Sequence, residues 1–355
     1  MRFFHLINNV LISTDPNMNG GVSKINSILK KNFKINEYLI ISQKKPDKEI
    51  ESTIWLRCFG KSPILIFNFF KLIKVIMQMK KNSKIILSDP QYSSVSFVIF
   101  LSNIFTTHKI FFLSHGFLFH DKKFFIIKKI YFLLITKLLF RYFSIISVSN
   151  SDSITLKKFN FHNSIEIPNG VNMIKPSKEK KYKFCLVGRN VDSKNLDKYL
   201  NFLNFYYNQN NSTNPKNSIL ISDSVVGLKT GEINKLNVYS KLNNQNYEQI
   251  LSQSEYIMSF SDYEGFGLSL IEGISAGAIP ICKFNDSFNE ILTHCKELIF
   301  MENDNQKIFQ LIKNVENLNY ENYRFLVQKL KSITVKYSVE NMVNKFDKYI
   351  FNQYN

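Results

Sequence analysis

Cysteine is scarce and scattered. Cys58, Cys185, Cys282 and Cys295 are the four in 355 residues, and none is paired in a Cys-x2-Cys spacing. This excludes a structural zinc site built on paired cysteines and argues for a reducing compartment. Asp-x-Asp is absent, so a metal bridging a diphosphate through paired aspartates is not expected. No apolar run reaches transmembrane length, because lysines and arginines interrupt the longest ones. The N-terminus lacks a basic, an apolar and a cleavage segment in series, so no secretory leader is expected. No internal repeat is visible. Acidic side chains are also few, with 28 Asp+Glu against 46 Lys+Arg and a net charge of +18.

What is present alternates. Short apolar runs interchange with helical segments along the chain, which predicts an α/β protein with parallel sheets. The length exceeds one ordinary core and predicts two domains. The first covers residues 1–171. Residues 172–183, with Pro176 and five lysines, read as a linker. The second domain covers residues 184–331, and residues 332–355 form a C-terminal helical segment. Asn208 to Asn217 reads as a polar loop.

The charge is uneven. Residues 1–170 hold 24 Lys+Arg against 9 Asp+Glu, hence +15, whereas residues 171–355 hold 22 against 19, hence +3. An anionic partner is expected for the first half. His120 to Phe143 reads as one helix. On it Lys122, Lys123, Lys129, Lys137 and Arg141 fall within about 120° of each other, together with Ile126, Ile130, Leu133 and Phe140. Cations mixed with apolar side chains suit an anionic bilayer surface. The basic residues are interleaved with aliphatics, and no nucleic-acid-binding motif occurs, so nucleic acid is not the expected partner.

The most informative stretch is Glu264-Gly-Phe-Gly-Leu-Ser-Leu-Ile-Glu272. It reads as strand, tight turn and helix. Gly265 and Gly267 let the backbone turn sharply and approach a ligand. The helix starts near Leu268 and stops near Gly277, before Pro280. Free amides at its start favour an anion. Upstream, Phe184-Cys-Leu-Val-Gly188-Arg189 is a strand ending in Gly-Arg, with Lys194 five residues beyond the arginine. Arg offers a planar fork for phosphate oxygens and Lys a mobile point charge. Gly20-Gly21 opens a helix after an apolar strand. Phe111-Phe-Leu-Ser-His115 ends a strand in His, and Val148-Ser149-Asn150 ends another before a helix. Pro168-Asn169-Gly170-Val171 marks a turn or hinge.

Together these motifs resemble the retaining glycosyltransferases of the GT-B fold, family 4, of the kind found in bacterial surface-polysaccharide biosynthesis. The resemblance spans roughly Gly20 to Glu290, and its second half is the specific part. It implies two Rossmann-like domains facing a central cleft, with the last helix packing back on the first domain. It implies a nucleotide-sugar as donor substrate, without a metal or other cofactor. It implies that Arg189 and Lys194 clamp the diphosphate with the amides around Gly265, Phe266, Gly267 and Leu268. Glu272 would hold ribose hydroxyls, Glu264 sugar hydroxyls, and His115 the donor sugar or acceptor. Gly21 would let a phosphate approach backbone amides. Asp223-Ser-Val-Val-Gly227 departs from the Gly-x-Gly-type turn that relatives carry after the equivalent strand. The expected acceptor is a lipid-linked oligosaccharide, lipopolysaccharide or capsule precursor. The enzyme would then be cytoplasmic and peripheral on the inner face of the plasma membrane. A GT-B-fold epimerase or hydrolase of nucleotide-sugars, or a noncatalytic basic binding protein, is the alternative.

Overall fold

The computed structural model describes residues 9–13, 21–33, 35, 37–42, 53–59, 66–67, 69–88, 99, 106–115, 143–158, 161, 164–209, 215–228, 233, 235–240 and 242–351. The chain divides into two compact units, Met1–Pro168 with Met342–Asn355, and Asn169–Asn341. Both are α/β, as the alternation of apolar strands and helices predicts.

The first unit holds β1 (Asn9–Ser13), α1 (Gly21–Asn32), β2 (Glu37–Ser42), β3 (Thr53–Phe59), β4 (Ile66–Phe67), α2 (Phe69–Met77), β5 (Lys84–Ser88), β6 (Lys109–Ser114), β7 (Ser144–Ser147), α3 (Asn150–Lys158) and β8 (Ser164–Glu166). The sheet order is β4-β3-β2-β1-β5-β6-β7-β8. Every pairing is parallel except β3 with β4. The cause is visible in the sequence. Val10-Leu-Ile, Ile85-Ile-Leu and Ile110-Phe-Phe-Leu are continuous apolar runs, and all are buried. Strands covered on both faces read this way, without alternation. α1 buries Ile25 and Leu29, one turn apart, and leaves Lys24 and Lys31 outside.

The second unit holds β9 (Tyr182–Val187), α4 (Leu196–Gln209), β10 (Asn217–Ile221), β11 (Leu236–Tyr239), α5 (Asn244–Ser252), β12 (Ser254–Ser259), α6 (Leu268–Ser275), β13 (Ile279–Lys283), α7 (Asp286–Ile291), β14 (Ile299–Phe300), α8 (Asn305–Glu316) and α9 (Tyr320–Lys336). Its strands are all parallel, in the order β11-β10-β9-β12-β13-β14. The chain therefore lays three strands outward in one direction, returns to the middle, and lays three the other way. Aromatics fill one side of this sheet. Phe184 meets Tyr206 edge-on at 4.7 Å, and Phe260 meets Phe300 at 5.1 Å. Side chains of Asn243, Asn285, Asp304 and Asn319 cap α5, α7, α8 and α9 by accepting from free amides, a contribution of about 1 kcal/mol each.

Two glycines draw α6 into place. A Cβ at Gly273 would lie 2.6 Å from Ile257 Cβ, so the helix lies directly on β12. Gly277, at φ +79°, turns the chain out of the helix where a side chain would strike Pro176. α10 (Val339–Phe346) follows α9 and continues into a π-helical turn, Asp347–Phe351. The boundary between the units falls inside α10. Within the first unit, Phe33 stacks on Phe351 at 4.2 Å, and Lys84 Nζ donates to the Phe351 carbonyl at 2.8 Å.

Candidate active site

The order of the second sheet has a chemical consequence. Where the winding reverses, the loops leaving two adjacent parallel strands diverge and open a crevice at the strands' carboxyl ends. That reversal lies between β9 and β12, and the loops are residues 188–195 and 260–267. They are tied together. Asn195 takes a left-handed backbone, φ +49°, and its Nδ2 donates to the Phe260 carbonyl at 2.9 Å. The Asp262 amide donates to the Ser193 carbonyl at 3.0 Å. Lys194, in a short 3-10 turn (Asp192–Lys194), places Nζ 2.5 Å from Glu264 Oε1. The two side chains are 18% and 14% exposed. A pair this sheltered is screened far less than a surface pair, and losing one partner would strand the other charge. Ser287 Oγ donates to the Glu264 carbonyl at 2.6 Å and fixes that residue from α7.

Beyond Glu264 the chain turns through Gly267, φ +91°, which caps α6 without any side-chain hydrogen bond. A Cβ there would lie 2.7 Å from the Phe288 ring, so both conformation and space require glycine. The amides of residues 265–268 have no acceptor among the described residues. Phe266 is buried, its ring edge-on to Tyr337 at 5.3 Å. It anchors the turn, so only its backbone is offered to a ligand.

Glu272 lies on α6 and is 8% exposed. Tyr247, from α5, donates its hydroxyl to Glu272 Oε2 at 2.5 Å. Burial, and then the neighbouring Glu272 carboxylate, push the Tyr247 phenol well above its usual range, so it stays protonated and donates. Arg189, by contrast, is exposed and its guanidinium has no partner among the described residues. The Asp223 segment holds the backbone beside it. Asp223 Oδ1 accepts from the Asn190 amide at 2.7 Å, and Asn190 Nδ2 donates to the Val226 carbonyl at 2.9 Å. Gly227, φ +80°, closes this turn.

In the first unit, His115 follows β6 and its Nε2 lies 3.0 Å from Ser88 Oγ at the end of β5. Burial pushes the His115 imidazole down to about 4, so it is neutral at pH 7. Gly21 is the exposed first residue of α1. Ser149 accepts from the Asp152 amide at 3.2 Å and so starts α3. The basic helix expected over residues 120–143 falls, apart from Phe143, outside the described residues. Among the described residues no helix is long and apolar enough to cross a membrane.

The structure thus brings Lys194 and Glu264 into contact. It places Arg189, the residue 265–268 amides and Glu272 on the same two loops and the helix they feed. His115 and Gly21 belong to the other unit. Sequence reasoning assigned Lys194 and Glu264 to different ligand groups and did not foresee their pairing. It also missed Tyr247, Ser88 and Ser287, whose partners lie 23 to 27 residues away with no motif connecting them.

No family model matches the chain, and no curated protein matches it. Solved structures do. HepE of Anabaena, crystallised with UDP and glucose, matches with a TM-score of 0.74 at 11% identity, over 98% of this chain and 100% of that one. The pneumococcal O-GlcNAc transferase GtfA, in complex with UDP and GlcNAc, matches with a TM-score of 0.71 at 10% identity, over 97% and 98%. The lipopolysaccharide outer core galactosyltransferase WaaB matches with a TM-score of 0.67 at 14% identity, over 98% and 99%. Across nearly the whole chain, the fold is therefore the GT-B fold with its two Rossmann-like domains.

Proposed function

We propose that this chain is a retaining glycosyltransferase that moves a sugar from a nucleotide diphosphate donor to an acceptor hydroxyl. The observation that carries the reading is the Lys194–Glu264 pair at the β9/β12 reversal, flanked by a guanidinium and amides that have no partner among the described residues. A diphosphate needs fixed positive charge and N–H donors; a sugar needs an acceptor beside them. The names of the structural neighbours, which bind UDP, UDP-glucose or UDP with GlcNAc, support the same reading.

The reaction breaks the bond between the anomeric carbon and the β-phosphate oxygen. Negative charge grows on the diphosphate and positive charge on the ring. Arg189, Lys194 and the amides of residues 265–268 stabilise the first, where preorganised donors act most strongly. Gly21 admits a phosphate to the amides at the start of α1. Glu264 orients the sugar hydroxyls, and Glu272 holds the ribose. His115, neutral at pH 7, contacts sugar or acceptor hydroxyls as a hydrogen-bonding group. The departing phosphate oxygen takes the acceptor's proton as the new bond forms on the same face, so no separate base and no metal are assigned. Two carboxylates flanking a glycosidic bond would mark a hydrolase; here one carboxylate is tied to a cation instead.

The acceptor in this proposal is a lipid-linked oligosaccharide, lipopolysaccharide or capsule precursor. The enzyme would act from the cytoplasmic face of the membrane as a peripheral protein, bound through the basic segment of residues 120–143. The test is a screen of nucleotide-sugars for thermal stabilisation, followed by transfer assays with and without EDTA. A ligand at a hundredfold its Kd stabilises the folded state by about 2.7 kcal/mol. One nucleotide-sugar should raise the melting temperature clearly, and its transfer should survive the chelator. Stabilisation by none would overturn the donor assignment, and loss of transfer restored only by a divalent cation would overturn the metal-free mechanism.

A further inference from the structure

We infer that Tyr247 is a positioning residue that makes this site selective for a ribose diol, acting through Glu272. The inference rests on the reading of Glu272 as the ribose ligand and extends it to a residue that no motif identifies.

Glu272 sits where water scarcely reaches. Its side chain is nearly buried on α6. A carboxylate taken out of water needs donors, or it becomes costly to keep there. Tyr247 supplies one at 2.5 Å, on Oε2, from a different helix. The phenol is itself held. α5 is capped at its start by Asn243, whose side chain accepts from the Asn246 amide at 2.8 Å, and it buries Ile250 and Leu251. A phenol on a short rigid helix has only two rotatable bonds, so it fixes the carboxylate plane at little entropic cost.

That fixed plane matters because a carboxylate only accepts. Two adjacent hydroxyls of a ribose are donors with a defined spacing, and they match a carboxylate that cannot rotate. A site built to bond hydroxyls binds an analogue lacking them more weakly, because the hydrogen bonds they donate are lost. Tyr247 therefore does two things. It offsets the burial of Glu272 when no ligand is present, and it fixes the orientation in which the diol is read. It touches no reacting atom.

The experiment measures binding of UDP, GDP and ADP by calorimetry, then takes the tightest binder and its 2′,3′-dideoxy counterpart. Wild type, Tyr247→Phe, Glu272→Ala and the double variant are compared. Wild type should prefer the ribonucleotide by tenfold or more. Tyr247→Phe should weaken ribonucleotide binding by about tenfold while leaving dideoxynucleotide binding nearly unchanged, so the preference collapses. In the Glu272→Ala background, Tyr247→Phe should add almost nothing, since the two act as one unit. With the matching nucleotide-sugar, KM should rise and kcat at saturation should hold. If Tyr247→Phe lowers the melting temperature but keeps the wild-type ribose preference, Tyr247 only packs and the inference fails alone. If wild type binds none of the diphosphates, or binds both sugar forms equally, the donor reading of Glu272 fails and takes this inference with it.

Discussion

In the C-terminal unit, adjacent central strands end in an ion pair, Lys194 with Glu264; in the N-terminal unit, adjacent strands end in a neutral pair, His115 with Ser88. Both units carry sheets that are parallel around the centre and whose winding reverses near the middle. The same backbone plan therefore presents charge at one set of strand ends and hydrogen-bonding neutrals at another. The chain's formal charge runs the opposite way. The half carrying +15 holds the neutral pair, and the half carrying +3 holds the cations assigned to phosphate. Net charge describes surfaces and long-range attraction. The chemistry of a site depends on which few groups are sheltered from water and what they face. Lys194 is sheltered and faces a carboxylate; His115 is desolvated and stays neutral.

The largest expected effect tests the charged end. Arg189→Ala and Lys194→Ala should each lower kcat by about 10²- to 10³-fold at saturating donor, the scale of losing one transition-state donor. Lys194→Ala should also reduce stability, because Glu264 then loses its cation in a sheltered place. Near-normal kcat in both variants would erase the distinction between the two strand ends.

The next effect concerns the basic half. Replacing Lys122, Lys123 and Lys129 by Glu should weaken binding to anionic vesicles about a hundredfold, at roughly 1 kcal/mol for each cation lost near a charged leaflet. Salt should weaken wild-type binding in the same assay. Unchanged vesicle binding would leave the +15 half without its assigned partner.

Within the charged end, the two glutamates should separate. Glu272→Ala should weaken nucleoside diphosphate binding about tenfold, the scale of a hydrogen bond to a charged group. Glu264→Ala should not weaken it, since Lys194 is then released toward phosphate, yet transfer should slow. Identical diphosphate affinities in the two variants would contradict the division of roles.

A last effect, on stability instead of catalysis or binding, sharpens the neutral end. The His115 pKa lies near 4 in the folded chain, below its ordinary 6.5. The unfolded chain therefore binds the extra proton first as pH falls. Stability is fully present above about 6.5 and declines toward 4, by at most about 1.4 kcal/mol per pH unit. His108, also lowered by burial, adds a slope of the same sign. His115→Gln should flatten the pH dependence of unfolding between 4 and 6.5 without removing the His108 part. An unchanged slope in that variant would mean that His115 is not desolvated.

Much of the fold was legible because parallel strands buried on both faces leave unbroken apolar runs, and helix stops leave glycines. The turn at Gly267 and the stop at Gly277 were readable for that reason. The strand order was not, because nothing local in Val187 or Ser259 says that β9 and β12 are neighbours. The Lys194–Glu264 contact follows from that adjacency, so it too was hidden. Tyr247 and Ser287 were invisible for the same cause, since each meets its partner only once α5, α6 and α7 pack. Asp223 stood out only as a departure from an expected glycine turn. The structure gives it work: it holds the Asn190 amide beside Arg189.

In the proposed reaction the β9/β12 reversal holds the diphosphate, and this can be tested directly. Hydrogen exchange followed by mass spectrometry, with and without a stabilising nucleoside diphosphate, addresses it without an acceptor. Bound diphosphate should slow exchange in peptides covering residues 262–272, where the amides of residues 265–268 gain acceptors, and in residues 188–195, which are tied to them. Protection confined to the N-terminal unit, such as residues 84–115, with none at 262–272, would contradict the account.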